Sequence, residues 1–185
     1  MSGASSKPAI NGNKRTRFVP SPFSGKYDSL VENLWRAEFP ELDTRGIPLL
    51  TVMDILSVQV KLFHSQVLKP YGRNYGEYII LTTLLLNGSG LTPRMLADVT
   101  YKPTAAIAQT LNRLEADGLV KREANPEDRR STLVTLTERG EAQSREICEK
   151  HAQRASERLG EFDASALDDF RQSLNTLIKA MRDGQ

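Results

Sequence analysis

Residues Leu91–Gly140, LTPRMLADVTYKPTAAIAQTLNRLEADGLVKREANPEDRRSTLVTLTERG, read as two short helices, a strand, a charged tip, a second strand and the start of a third helix. Thr92-Pro93 pairs a capping residue with proline at the first helical position and predicts a helix to about Val99. Pro103 opens the next helix, and Gly118 stands where a left-handed residue closes it. Ile107, Leu111 and Leu114 fall at i, i+4 and i+7, so they face a core and leave Thr104, Gln109, Asn112 and Arg113 off that stripe. Leu119–Glu123 and Thr132–Leu136 alternate or are β-branched, as short strands are, and residues 124–130 form the turn between them. The expected fold is mainly α with a small β-hairpin: a winged helix-turn-helix lobe resting on a helical dimerisation layer.

On the N-terminal side, residues 1–26 are rich in Ser, Gly, Pro and Asn and read as a disordered tail with a basic patch at Lys14, Arg15 and Arg17. Residues 27–48 read as a helical extension, with Ser29 and Glu32 as a capping box and Pro40 as the stop. A long helix is expected over 49–69, with Val52, Leu56, Val60, Phe63 and Val67 as its stripe, and Pro70 ends it. Asn74 and Glu77 cap a helix that runs to Leu86, ahead of Asn87-Gly88. This begins the winged unit, expected over about 74–137.

Beyond the hairpin, helices are expected over 138–160 and 165–183, the latter opened by a Ser165/Asp168 capping box. Leu167, Phe170, Leu174, Leu177, Ile178 and Met181 form a seam close to heptad spacing. That is more apolar surface than a terminal helix of a small domain buries alone, and it is the candidate dimer interface.

The 25 Lys and Arg against 23 Asp and Glu give a net charge of +2, too small to name a nucleic-acid partner by itself. A single cysteine, Cys148, excludes an intrachain disulfide and suits a reducing cytoplasm. Tyr78–Leu86, taken as the most apolar window, is far short of the roughly 20 residues of a membrane span. The expectation is a cytoplasmic protein with no membrane partner. His64 and His151 sit on different helices, and glycine-rich phosphate loops, paired-cysteine patterns and HExxH are absent from the sequence. Catalysis, a metal and a cofactor are therefore not expected.

Three motifs carry a resemblance: Arg113-Leu114-Glu115 followed by Gly118-Leu119-Val120, the tip Asn125-Pro126-Glu127-Asp128-Arg129-Arg130, and Leu136-Thr137-Glu138-Arg139-Gly140. In this order and spacing the sequence resembles the MarR family of transcriptional regulators over about residues 75–145. The flanking helices, and hence a MarR-like domain over 49–185, agree in layout only.

The resemblance implies a homodimer on a pseudo-palindromic double-stranded operator, with one recognition helix per subunit in the major groove and a wing arginine in the minor groove. It implies DNA contacts from Asp128, Arg129 and Arg130, where a narrow minor groove favours a held guanidinium. Gln109 is placed to read adenine, with Thr104 and Asn112 on the same helix, while Arg94, Lys102 and Arg113 suit phosphate contacts. The family often has Ser/Thr and Arg near the recognition positions; here stand Ala105, Ala106, Ala108 and Gln109, so base preference does not carry over.

The family also commonly binds aromatic or phenolic effectors between the dimer helices and the DNA-binding lobes. Trp35, Phe63, His64, Tyr71, Tyr75 and Tyr78 supply aromatic surface, and Arg36 and Arg73 suit an anionic group. The expectation is a repressor released by an aromatic acid, a phenolic compound or its CoA thioester. Two alternatives stand beside it: thiol oxidation sensing through Cys148, and a winged-helix module used for protein contacts.

Overall fold

A computed structural model describes residues 27–183 apart from Tyr101, Glu127 and Arg129, with side chains from Leu30 onward. The element order is α1 (Tyr27–Glu38), α2 (Gly46–Leu68), a 3-10 turn (Lys69–Tyr71), α3 (Tyr75–Asn87), α4 (Pro93–Thr100), α5 (Thr104–Ala116), β1 (Val120–Ala124), β2 (Thr132–Leu136), α6 (Glu138–Leu159) and α7 (Ala164–Asp183). Two compact units divide the chain, Met1–Val60 and Lys61–Gln185. The N-terminal tail and its basic patch lie outside the described residues.

In the first unit α1 starts at Tyr27, ahead of the expected Ser29 cap. Helix α2 starts at Gly46, three residues earlier than expected, because Pro48 falls in its first turn, where a missing N–H costs nothing. The expected single stripe does not describe α2. Leu49, Leu50, Val52, Leu56, Val58 and Val60 are all at least two-fifths exposed, and only Val67 and Leu68 at its far end are buried. Gly46–Tyr71 is by length and composition apolar enough to cross a membrane. The run at 78–86 is thus not the chain's longest apolar stretch.

The second unit is organised by the winged lobe. Asn74 and Glu77 form both legs of the capping box on α3, with Glu77 N–H donating to Asn74 Oδ1 at 3.0 Å and Asn74 N–H to Glu77 Oε2 at 3.1 Å. Gly88, at φ +67°, ends α3, and Thr92 Oγ1 accepts from Met95 N–H to cap α4. Pro103 occupies the cap position of α5, and Gly118, at φ +68°, turns the chain into the hairpin.

The hairpin pairs antiparallel with Val120 opposite Leu136 and Ala124 opposite Thr132. Leu91 adds an isolated antiparallel bridge to Val134, a third strand position beside the hairpin. One core joins these pieces: Ile80, Leu81 and Leu84 of α3, Leu91, Leu96 and Ala97, Ile107, Leu111 and Leu114 of α5, then Leu119, Val120 and Val134. Burying each of these side chains contributes about 1.5–3 kcal/mol for the larger ones, the chief term holding α5 to the hairpin.

Helix α6 begins where Thr137 Oγ1 accepts from Gly140 N–H at 3.0 Å while donating to Gly118 O at 2.7 Å. A Cβ at Gly140 would lie 1.8 Å from Leu119 O, so the helix start presses on the wing backbone at a spacing only glycine allows. For α7 the expected capping box is wrong. Asp163 caps the helix, accepting from Ser165 N–H at 2.9 Å and Ala166 N–H at 3.3 Å, and Asp168 pairs instead with Arg171. An aspartate one residue before the helix outcompeted the serine inside it. No residue of α7 is buried.

Candidate functional site

The helix-turn-helix places α5 with Ile107, Thr110, Leu111 and Leu114 buried and the opposite face in solvent. Thr104, Ala105, Ala106, Ala108, Gln109, Asn112 and Arg113 are all exposed, as the periodicity requires. Asn112 has a structural bond that the sequence did not reveal. Arg122 on β1 donates through Nη2 to Asn112 Oδ1 at 2.7 Å and through Nη1 to Glu115 Oε2 at 2.7 Å, tying the hairpin to α5. Arg113 is half-exposed, with Nε 3.7 Å from the buried carboxylate of Glu77. The Lys102 ammonium sits over the start of α3, 2.9 Å from where a Cβ on Gly76 would stand. Arg94 is exposed on α4.

At the wing tip Asp128 and Arg130 are exposed, and Arg129 lies outside the described residues. Asp128 Oδ1 accepts from the backbone N–H of Arg130 at 3.0 Å, so the carboxylate sets the turn through the main chain rather than by gripping the guanidinium. Ser131 N–H and Oγ both bond to Asp128 O, at 2.9 and 3.0 Å, and Asn125 Nδ2 donates to Ser131 Oγ at 2.8 Å. The tip is thus a hydrogen-bonded loop that presents Arg130 outward.

The residues expected to meet an effector are divided between the two units. In the first unit Trp35 packs on Phe39 at 5.3 Å between ring centres, and Arg36 pairs with Glu32 on its own helix. In the second unit Phe63, His64, Tyr75 and Tyr78 do come together, and His151, not among the expected site residues, completes the cluster. His151 stacks on His64 at 4.9 Å and on Tyr78 at 4.8 Å, and Phe63 meets it edge-on at 5.0 Å. His64 Nδ1 and His151 Nε2 share a hydrogen bond of 2.8 Å.

Burial lowers the pKa of both imidazoles, with the charge of His151 adding to the effect on His64. Burial first, then the nearby Cys148, raises the Tyr78 phenol. Cys148 Sγ lies 3.4 Å from Thr82 Oγ1. Tyr71 sits apart, its hydroxyl donating to Glu146 at 3.1 Å. Arg73 is held by Asp117 at 2.5 Å and is not offered to a ligand. Among the described residues, no group of three His, Cys, Asp or Glu is placed to hold a metal ion.

This architecture is that of a winged helix-turn-helix protein. The chain matches the model of the MarR family over residues 71–131. It is similar to the HTH-type transcriptional regulator PecS of Dickeya dadantii, 25% identical over 147 residues, which covers 78% of this chain and 89% of the relative. Its fold is similar to that of AbsC, a MarR family regulator of Streptomyces coelicolor, with a TM-score of 0.66 and 23% identity over 78% of this chain and 97% of the other. The fold is also similar to that of CouR from Rhodococcus jostii bound to p-coumaroyl-CoA, with a TM-score of 0.62 and 20% identity over 69% of this chain and 89% of the other.

Proposed function

We propose that this chain is a homodimeric, sequence-specific DNA-binding repressor that a small aromatic acid, a phenolic compound or its CoA thioester releases from its operator. The observation that carries the DNA reading is the division of α5 into a buried apolar face and an exposed one bearing Thr104, Gln109 and Arg113, beside a wing that presents Arg130. Such a helix fits a major groove, with Gln109 toward an adenine edge and the alanine methyls toward thymine methyls, and Arg130 fits the neighbouring minor groove. Arg94 and Lys102 supply phosphate contacts that set register.

One such lobe covers too little DNA for tight binding, so two are required. Helix α2, with Leu49, Leu50, Val52, Leu56, Val58 and Leu62 exposed, and α7, with Phe170, Ile178 and Met181 each about half-exposed, supply surface that a second copy covers. Leu167, Leu174 and Leu177 are half-buried on the same helix and extend that seam. Asp54 and Lys61 lie within α2, and each costs a few kcal/mol at the centre of a bilayer, which favours a protein partner over lipid.

The aromatic cluster of Phe63, His64, Tyr75, Tyr78 and His151 is the ligand surface this reading assigns, with Tyr75, 47% exposed, as its open side. CouR bound to p-coumaroyl-CoA supports the ligand class. To empty a site that is 99% occupied, the ligand must favour the non-binding state by about 5.5 kcal/mol. A thermal-shift screen of aromatic acids and their CoA thioesters, followed by DNA release, tests this. At least one compound is expected to do both, and no release by any member of the set would contradict the reading.

A further inference from the structure

Helix α2 and its 3-10 extension end at Gly72, whose φ of +63° turns the chain toward α3. Arg73, the next residue, is anchored back onto the chain ahead of that turn. Its N–H donates to Leu68 O at 3.2 Å, and its Nε donates to Tyr71 O at 3.2 Å. Its guanidinium then leaves the local chain: Nη1 lies 2.5 Å from Asp117 Oδ2 and 3.8 Å from Glu77 Oε2, with only 13% of the side chain exposed. Asp117 caps the C-terminal end of α5, its own N–H bonded to Arg113 O and Glu115 O. Glu77, 6% exposed, reaches Arg113 in the body of α5 at 3.7 Å. Two guanidiniums and two carboxylates therefore run from the end of α2 to two points on the recognition helix.

An acid at a helix C-terminus opposes the helix dipole, so the position of Asp117 gains nothing from α5 itself. Its partner is Arg73, and a largely buried guanidinium stripped of its carboxylate is costly. We propose that Arg73 is a positioning residue for DNA reading: through Asp117 and through Glu77 with Arg113 it fixes the tilt of α5 relative to the end of α2. A movement of α2 in the subunit-pairing layer is transmitted to the recognition helix along this link. The proposal rests on the DNA-binding reading above.

The test uses the full chain and a duplex that the wild-type protein selects from a random library, with a scrambled duplex of equal length as control. Asp117→Asn, Arg73→Gln and the double variant are compared. Asp117 is 44% exposed on its side chain, so its variant keeps the fold, which a melting curve checks. Removing a negative charge by itself strengthens attraction to any phosphate backbone. The positioning role has the opposite sign. Asp117→Asn is expected to lose about tenfold on the selected duplex, with binding to the scrambled duplex unchanged or tighter. Arg73→Gln, which removes a cation, is expected to lose more on the selected duplex than on the scrambled one, and the double is expected to lose no more than the worse single. Equal affinities of Asp117→Asn and wild type for both duplexes, a parallel loss on both, or additive losses would overturn it. Failure of the wild-type protein to select any duplex would instead overturn the DNA-binding reading, and this proposal with it.

Discussion

His64 on α2 and His151 on α6, 87 positions apart in sequence, share a hydrogen bond of 2.8 Å with their rings stacked 19° from parallel. One nitrogen must donate and the other accept, so the pair admits one added proton at most before the bond is lost. Burial lowers both pKa values below that of a free imidazole. As pH falls through about 6.5 the unfolded chain binds protons before the folded one does, and stability decreases until the folded-state pKa values are passed. The urea midpoint is expected to drop between pH 7.5 and 5.5, and to drop less in His151→Gln. Equal pH slopes in the two proteins would show that the pair is not the titrating element.

Gly140 against Leu119 gives a stability test. Gly140→Ala places a methyl 1.8 Å from Leu119 O, a carbonyl that already accepts from Thr137 N–H, so the start of α6 must shift. A loss of about 1–3 kcal/mol or more in urea unfolding is expected. Gly46→Ala, where no atom lies within 4 Å of the added carbon, is expected to be neutral or slightly stabilising. A neutral Gly140→Ala would mean that the helix start is looser than described.

The wing and recognition helix separate by what they read. Arg94→Ala is expected to weaken binding evenly across sequences and reduce the salt slope by about 1, as one lost phosphate contact does. Gln109→Ala is expected to relax preference at one base pair, a change of about 1–3 kcal/mol, with the slope intact. Arg130→Ala should weaken A·T-rich flanks most. Binding titrations at several salt concentrations distinguish the three, and identical profiles would refute the assignment of roles.

Cys148→Ser replaces a thiol 3.4 Å from Thr82 Oγ1 by a hydroxyl that can keep the contact. DNA binding and its response to hydroperoxide are expected to match wild type. A response lost in the variant would turn the account toward thiol sensing.

The winged lobe was legible because its punctuation is local: Thr92 before Pro93, Gly118 in the left-handed region, and Thr137 capping α6 all act within a few residues of themselves. What escaped the sequence is long-range. Nothing near Arg73 announces Asp117, nothing near His64 announces His151, and Arg122 reads as a strand arginine until its bonds to Asn112 and Glu115 are seen. In α7 the cap is Asp163, and Ser165, which the sequence offers as the cap, already lies inside the helix. In α2 the stripe at 52, 56, 60, 63 and 67 does not describe the helix, since Leu50, Val58 and Leu62 carry apolar side chains on its other faces and Val52, Leu56 and Val60 are themselves exposed.

The central claim, that α5 and the wing of a paired molecule read DNA, is tested most directly by letting the full-length protein select duplexes from a random library and sequencing them. The account expects enrichment of a pseudo-palindrome whose half-sites are centred about one helical turn, 10–10.5 base pairs, apart. A sequenced pool indistinguishable from the input library would contradict it.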